Sequence, residues 1–295
     1  MEWNDYQLIM AVSREKSVRG AARHLGVSHA TVSRRLAYLN GMAGGPFVQK
    51  SPGGLWPTKA GRAVVDAAEK MEAITTESVR RQRAVSQDLS GPLTISVGSL
   101  VLKHLLFDAV AQFAAQYPNI DLTIDGSDDF VDLDRAEADL VIRTSTNPPE
   151  HWVGRRLFPW ALSLYAHKDY LAKTPEAELK WVSPPTGEPR WREWLEQSPY
   201  PDAQMGLTIA DIPGRFEAIK RGYGMGRAAC FMADPDTDLV RLPGAPVVEQ
   251  DPFWLLVHPD FARTERAKAG IKFFADALLA RRAVIEGGET SSEDV

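Results

Sequence analysis

The stretch Ser17-Val18-Arg19-Gly20-Ala21-Ala22-Arg23-His24-Leu25-Gly26-Val27-Ser28-His29-Ala30-Thr31-Val32-Ser33-Arg34-Arg35-Leu36 decides how this chain is read. Ser17 is a good N-cap residue and opens a short helix over Val18 to Leu25, with Ala21, Ala22 and Leu25 facing inward. Gly26 stops it. Ser28 caps a further helix that runs to about Leu39, whose apolar face is Val32, Leu36 and Leu39 and whose opposite face carries His29, Thr31, Ser33, Arg34 and Arg35. Two short helices joined by a brief turn containing glycine are a helix-turn-helix, in which the second helix enters the DNA major groove. Ala21 and Ala22 matter because the helices cross closely there, and a large side chain would push the second helix out of position.

Upstream, Trp3, Tyr6, Leu8, Ile9 and Val12 recur at helical spacing and predict a first helix ending before Ser17. The net charge of the whole chain is −5, yet residues 1–62 hold nine Lys and Arg against three acids, giving +6 and leaving −11 for the rest. A basic first fifth on an acidic body is the asymmetry expected when one module meets a polyanion and the other stays soluble.

These residues, with Phe47-Val48 and Leu55-Trp56-Pro57-Thr58-Lys59-Ala60-Gly61, resemble the LysR-type transcriptional regulators almost position by position through the helix-turn-helix, the wing and the start of the linker helix. The sequence departs from that pattern at His29-Ala30, at Asn40 to Pro46, and in a wing with Gln49 and Gly53. The resemblance implies an all-α winged helix-turn-helix DNA-binding domain over 1–61. By their chemistry, Arg34 and Arg35 are fork-shaped donors suited to guanine edges or phosphates, with Arg34 the first choice for base reading. Ser28, Thr31 and Ser33 offer short hydroxyls, His29 presents a different donor and acceptor set, and Lys50 and Lys59 suit backbone phosphate.

From Thr58 one long helix is predicted to about Leu89, with Ala60, Ala63, Val64, Ala67, Met71, Ile74, Ser78 and Val85 in a stripe. Such a rod cannot bury its stripe alone, so it reads as a dimerisation helix, which is also its role in the resembled family. The expected partners are double-stranded DNA with a pseudo-palindromic site, a second copy in a homodimer or homotetramer, the transcription machinery, and a small-molecule effector.

Ser90-Gly91-Pro92 marks a hinge. Beyond it, strands at 93–97, 122–124 and 138–143 with a helix over 102–117 predict an α/β unit with a parallel sheet, and a second such unit contains 161–165, 204–209, a helix near 216–221 and 253–257. A last helix over about 264–282 returns to the first unit. The two lobes resemble the periplasmic-binding-protein-like effector domain of the same regulators, over 92–285, with lobe I at about 92–160 plus 260–285 and lobe II at about 161–259. Residues 286–295 read as a disordered acidic tail. Ligands in such folds sit beyond the carboxyl ends of strands, which points to Ser99 and Leu100 after one strand and to Thr144 and Thr146 after another. Ser99 would suit a carboxylate effector.

The single cysteine, Cys230, cannot form an internal disulfide and reads as buried filler, consistent with a reducing cytoplasm. The N-terminus lacks the order of a signal peptide, and no apolar stretch approaches the length of a membrane helix. Gly222-Tyr223-Gly224-Met225-Gly226 follows a helix and precedes an apolar strand, the reverse of a phosphate cradle, and reads as a helix C-cap turn. Asp234, Asp236 and Asp238 lack the glycine and final acid of a calcium loop, and the six histidines show no ligand spacing, so no metal and no cofactor is expected. With no nucleophile elbow and no Cys/His pairing, an enzyme is not expected either.

Overall fold

A computed structural model describes residues 1–84, 88–185 and 189–288. The chain divides into two compact units, Met1–Arg80 and Arg81–Val295.

In the first unit, α1 (Trp3–Glu15), α2 (Val18–His24) and α3 (His29–Met42) are followed by a two-stranded wing, β1 (Val48–Ser51) and β2 (Gly54–Pro57), and by α4 (Lys59–Ala84). Both predicted caps form: the Ser17 hydroxyl accepts from the Gly20 N–H at 3.0 Å, and the Ser28 hydroxyl from the Thr31 N–H at 3.1 Å. Gly26 ends the first of these helices with a φ of 65°, the left-handed turn for which glycine carries no Cβ penalty. Leu8, Ile9 and Val12 of α1, Ala21 and Ala22 of α2, and Val32, Leu36 and Leu39 of α3 form one core, closed by Phe47 and Val48 of the wing. The wing is tied down twice, by the Leu55 N–H donating to the Lys16 carbonyl at 2.8 Å and by Lys16 Nζ lying 4.4 Å from the centre of the Trp56 ring.

Thr58 opens α4. Its hydroxyl accepts from the Gly61 N–H at 3.1 Å and donates to the Pro46 carbonyl at 2.8 Å. The helix is 26 residues long, about 39 Å at 1.5 Å per residue. It is described to Ala84; residues 85–87, with Val85 of the stripe, lie outside the described set, and Asp88 and Leu89 are not helical. Two polar and basic turns after Met71 look helical by propensity whether or not the helix stops, so the pattern did not mark the end.

The second unit is built on a seven-stranded sheet of β3 (Gly91–Val97), β4 (Ile120–Asp125), β5 (Leu140–Thr144), β6 (Val153–His167), β9 (Gly226–Ala229), β10 (Leu239–Arg241) and β11 (Val248–Val257). The order is β10-β6-β11-β5-β3-β4, with β9 also on β6. A small parallel sheet of β7 (Lys180–Ser183) and β8 (Gln204–Thr208) stands apart. Between the strands lie α5 (Ser99–Val101), continuing through a π-turn at Leu102–Leu106 into α6 (Phe107–Gln116), then α7 (Lys168–Lys173), α8 (Pro189–Glu196), α9 (Ile212–Lys220) and α10 (Cys230–Ala233). The chain closes with α11 (Glu265–Ala280) and α12 (Arg282–Ile285). As expected, the long last helix returns to the first strands: Ala267, Phe274 and Leu278 share a core with Leu93, Ile95 and Leu140.

Three features differ from the sequence reading. Within the seven-stranded sheet only β3, β4 and β5 pair in parallel, while β11 runs antiparallel to both β5 and β6. The segment Phe253 to Val257, read into the second lobe, pairs with Thr144 to Leu140 of β5 instead. A short apolar run reads the same in either direction and in either sheet, so only pairing could place it. Lastly, Glu286 to Gly288 are held rather than loose: the Gly288 N–H donates to the Ala283 carbonyl at 2.8 Å, and the Arg241 guanidinium reaches the Gly287 carbonyl at 3.3 Å. The remainder of the predicted tail, 289–295, lies outside the described residues.

A Cβ on Gly61 would stand 1.8 Å from the Phe47 carbonyl oxygen and 2.8 Å from its carbon, a collision with backbone. Gly61→Ala should therefore cost roughly 1–3 kcal/mol and speed hydrogen exchange of the α3 amides in the full chain by about tenfold or more. An unchanged exchange rate would contradict this packing of the wing on α4.

Candidate nucleic-acid interface and ligand cavity

On α3 the partition of side chains is sharp. Val32, Leu36 and Leu39 are buried, whereas His29, Thr31 and Arg34 are exposed and Ser33 is half-buried. Arg34 makes one hydrogen bond among the described residues, from Nε to the Ala30 carbonyl at 3.3 Å, which lays its stem along the helix and leaves both terminal nitrogens open. Arg35 is placed differently from the reading that offered it to DNA. Its Nε donates to Asp5 Oδ1 at 2.6 Å and its Nη2 to Oδ2 at 2.9 Å, a two-point pair that clamps α3 to α1. Asp5 is buried, and its sequence neighbours gave no hint that a first-helix acid would reach thirty residues along the chain. The Arg35 hydrogen bonds hold the Asp5 carboxyl below the ordinary carboxylate range against the opposing effect of burial.

Ser28 and Thr31 are partly committed as well, since their hydroxyls bond each other at 2.8 Å within the cap. Lys50 on the wing and Lys59 at the start of α4 are exposed, as are Arg19 and Arg23 on α2. The α3 segment contains no acidic residue. The interface is thus a cationic, hydroxyl-bearing helix face whose register is fixed from below by an apolar stripe and one ion pair.

The second unit contains a cavity of about 500 Å³. Its walls come from the turn after β3, from the end of β5, from the middle of β6, from α9 and from the β9–α10 corner. Of the four residues predicted to meet a ligand, Leu100 and Thr144 line it. Ser99 stands at the rim and already holds a carboxylate: its N–H donates to Asp128 Oδ1 at 2.9 Å and its hydroxyl to Oδ2 at 2.7 Å. Thr146 is exposed and outside the lining, because the chain turns away at Ser145, whose N–H donates to the Pro252 carbonyl at 3.1 Å and whose carbonyl accepts from the Trp254 indole at 2.9 Å.

Sequence reading missed the charged groups of the wall, Arg143, Arg215, Arg227 and Asp128. Arg143 could have been found: as the fourth residue of β5 it lies near the carboxyl end of a central strand. It is half-buried, and its Nη2 donates to the Ser96 hydroxyl at 3.0 Å and to the Ser127 carbonyl at 2.7 Å. Burial pushes its guanidinium pKa down. Arg227 lies over two indoles, 5.9 Å from the ring centre of Trp191 and 5.6 Å from that of Trp194.

The acids once compared with a calcium loop face separate cations: Asp234 pairs with Arg241 at 2.8 Å, Asp236 with Lys220 at 2.7 Å and Asp238 with Lys168 at 2.7 Å. Gly222 follows α9 with a φ of 69°, the C-cap turn expected of it.

With this geometry in place, comparison with known proteins is direct. Residues 3–62 match the profile of the bacterial regulatory helix-turn-helix protein, lysR family, and residues 86–279 match that of the LysR substrate binding domain. The Mau operon transcriptional activator of Paracoccus denitrificans is 29% identical over 290 residues, covering 94% of this chain and 96% of that protein. In fold, the chain is similar to AphB, the Vibrio cholerae virulence activator, with a TM-score of 0.59 at 17% identity, covering 94% of this chain and 99% of that one. It is also similar to CrgA of Neisseria meningitidis, with a TM-score of 0.55 at 21% identity and the same coverage.

A depressed Asp5 pKa means that its pairing stabilises the first unit fully above the unfolded-state value of about 3.9, and that this contribution drains away as pH falls through the lower folded value. Asp5→Asn should weaken α3 protection at neutral pH and flatten this acid limb. Urea midpoints followed from neutral pH downward check it; an acid limb identical to that of the parent chain would refute the clamp.

Proposed function

Because the chain belongs to the LysR family of bacterial transcriptional regulators, we propose that the α3 face reads operator DNA and that the cavity of the second unit senses the effector. The chain is a transcription regulator with a helix-turn-helix DNA-binding domain and an effector-binding domain. The observation that carries the residue assignment is the open Arg34 fork on an acid-free helix face whose apolar side is sealed. Arg34 contacts base edges; His29, Thr31 and Ser33 lie beside it; Ser28 acts first as the helix cap; Lys50 and Lys59 hold phosphates. Arg35 is a positioning residue through Asp5. Residues 1–61 form the DNA-binding domain and 92–285 the effector domain, in which Leu100 and Thr144 contact the ligand.

A second copy of the chain covers the stripe on α4, where Ile74 is 66% exposed. Two-fold pairing then presents two α3 helices to a pseudo-palindromic duplex, as a homodimer or a homotetramer. The protein works in the cytoplasm alongside its DNA; among the described residues no helix is long and apolar enough to cross a membrane. It binds its effector without transforming it, a reading supported by the regulators among its relatives.

The test uses a duplex selected from random sequence. Arg34→Ala should weaken binding to it by about 1–3 kcal/mol while leaving unrelated duplex nearly unaffected, whereas Lys50→Ala and Lys59→Ala should weaken both and each reduce the salt slope by about one. Fluorescence anisotropy at several salt concentrations reads both quantities. Equal loss on the two duplexes for Arg34→Ala would reject base reading.

A further inference from the structure

The cavity carries a chemical bias. Its body is apolar, with Leu100, Ile142, Trp160, Phe216, Phe231 and Phe253 among its walls, and at about 500 Å³ it suits a ligand of one or two rings. Its charged groups are three arginines, Arg143, Arg215 and Arg227, against one acid, Asp128. Two of the arginines are engaged by the wall: Arg215 Nη1 donates to the Ile209 and Ala210 carbonyls at 2.8 and 2.7 Å, and Arg227 is stacked over Trp191 and Trp194. Arg143 is held only loosely by charge, through a long ion pair with Asp128. Among the described residues all its hydrogen bonds leave from Nη2 and go to neutral oxygens, while its Nη1 has only Asp128 Oδ1, 3.9 Å away. The charges of Asp128, Asp125 and Asp129 partly offset this half-buried guanidinium from a distance, and a carboxylate in direct contact would bond it more strongly. The Trp160 indole N–H in the same wall is also buried and has no hydrogen-bond partner among the described residues.

Asp128 already shows what chemistry this rim accepts. Its carboxylate takes two hydrogen bonds from Ser99, yet its side chain is 71% exposed, so it can swing into solvent by rotation alone. The neighbouring Ser127 and Asp129 carbonyls, both on Arg143 Nη2, would stay where they are.

Resting on the reading of this cavity as the effector site, we propose that the effector is a small organic anion with a single carboxylate on an aromatic or aliphatic body, and that this carboxylate displaces Asp128 from Ser99 and closes on Arg143. Asp128 is then a built-in competitor that sets the ligand concentration at which the regulator responds. A cationic ligand would meet three arginines, and a neutral one would leave Arg143 as it is.

The experiment is calorimetry and thermal shift on the full chain with three matched sets: benzoate, phenylacetate and hexanoate; their amides; and benzylamine with hexylamine. At least one carboxylate should bind saturably and about tenfold or more tighter than its own amide, the size expected for charge-assisted over neutral hydrogen bonds, with no binding of the amines. Asp128→Ala, on an exposed side chain, should tighten carboxylate binding several-fold and leave the amides unchanged. Arg143→Gln should erase the preference of carboxylate over amide. Amides or amines binding as well as carboxylates would overturn the anion assignment and leave the sensing role intact. Carboxylate affinity unchanged in Asp128→Ala would overturn the competition. Failure of every compound, whatever its charge, would overturn the cavity as the effector site itself.

Discussion

The architecture of the first unit depends on sealing one side of a single helix. Val32, Leu36 and Leu39 of α3 are buried against Leu8, Ile9 and Val12 of α1 and the alanine pair of α2. Three such side chains, each worth about 1.5–3 kcal/mol on burial, fix which way α3 faces. The Asp5–Arg35 pair then fixes its rotation, because a two-point bond tolerates little turning. His29, Thr31 and Arg34 are outside because Val32, Leu36 and Leu39 hold the opposite side of α3 in the core, and the Ser17 and Ser28 caps define where the two helices begin.

A comparable economy runs through the second unit. Strand β5 has a charged residue near each end. Arg143 stands in the cavity wall, and Asp139, just before the strand, accepts from the Thr94 N–H at 2.8 Å and pairs with Arg83 at 3.3 Å. Arg266 of α11, itself buried, donates to the Ser90 and Arg83 carbonyls. Arg83 and Ser90 are therefore fastened to the same unit whose sheet lines the cavity. Four residue steps of extended chain, a rise of about 13 Å, separate Asp139 from Arg143.

Much of the first unit was legible because helix periodicity, caps and a stop glycine are local signals, and each acts within a few residues of itself. Ser17, Gly26, Ser28 and the Val32-Leu36-Leu39 stripe needed no tertiary information. Arg35 was not legible, since a fork on a helix face looks the same whether it waits for a phosphate or for an acid from another helix. The cavity was read only in outline. The rule that ligands sit past strand ends found Leu100 and Thr144 and stopped one residue short of Arg143, while Arg215 and Arg227 are brought in by α9 and β9, far along the chain. The Asp128 carboxylate on Ser99 was invisible for the same reason. Thr146 failed because a turn held by Pro252 and Trp254 carries it away. Strand direction was lost too, because alternation of helices and strands encodes which segments exist and not which neighbours they choose.

The account stands on α3 entering the major groove. Methylation interference on a selected operator measures that most directly, because dimethyl sulfate marks guanine N7 in the major groove and adenine N3 in the minor groove. Binding should be blocked by guanine N7 methylation in two clusters whose centres lie a whole number of helical turns apart, about 10 base pairs each, with adenine N3 methylation in those clusters having little effect. Interference confined to adenine N3, or spread evenly along the duplex, would contradict it.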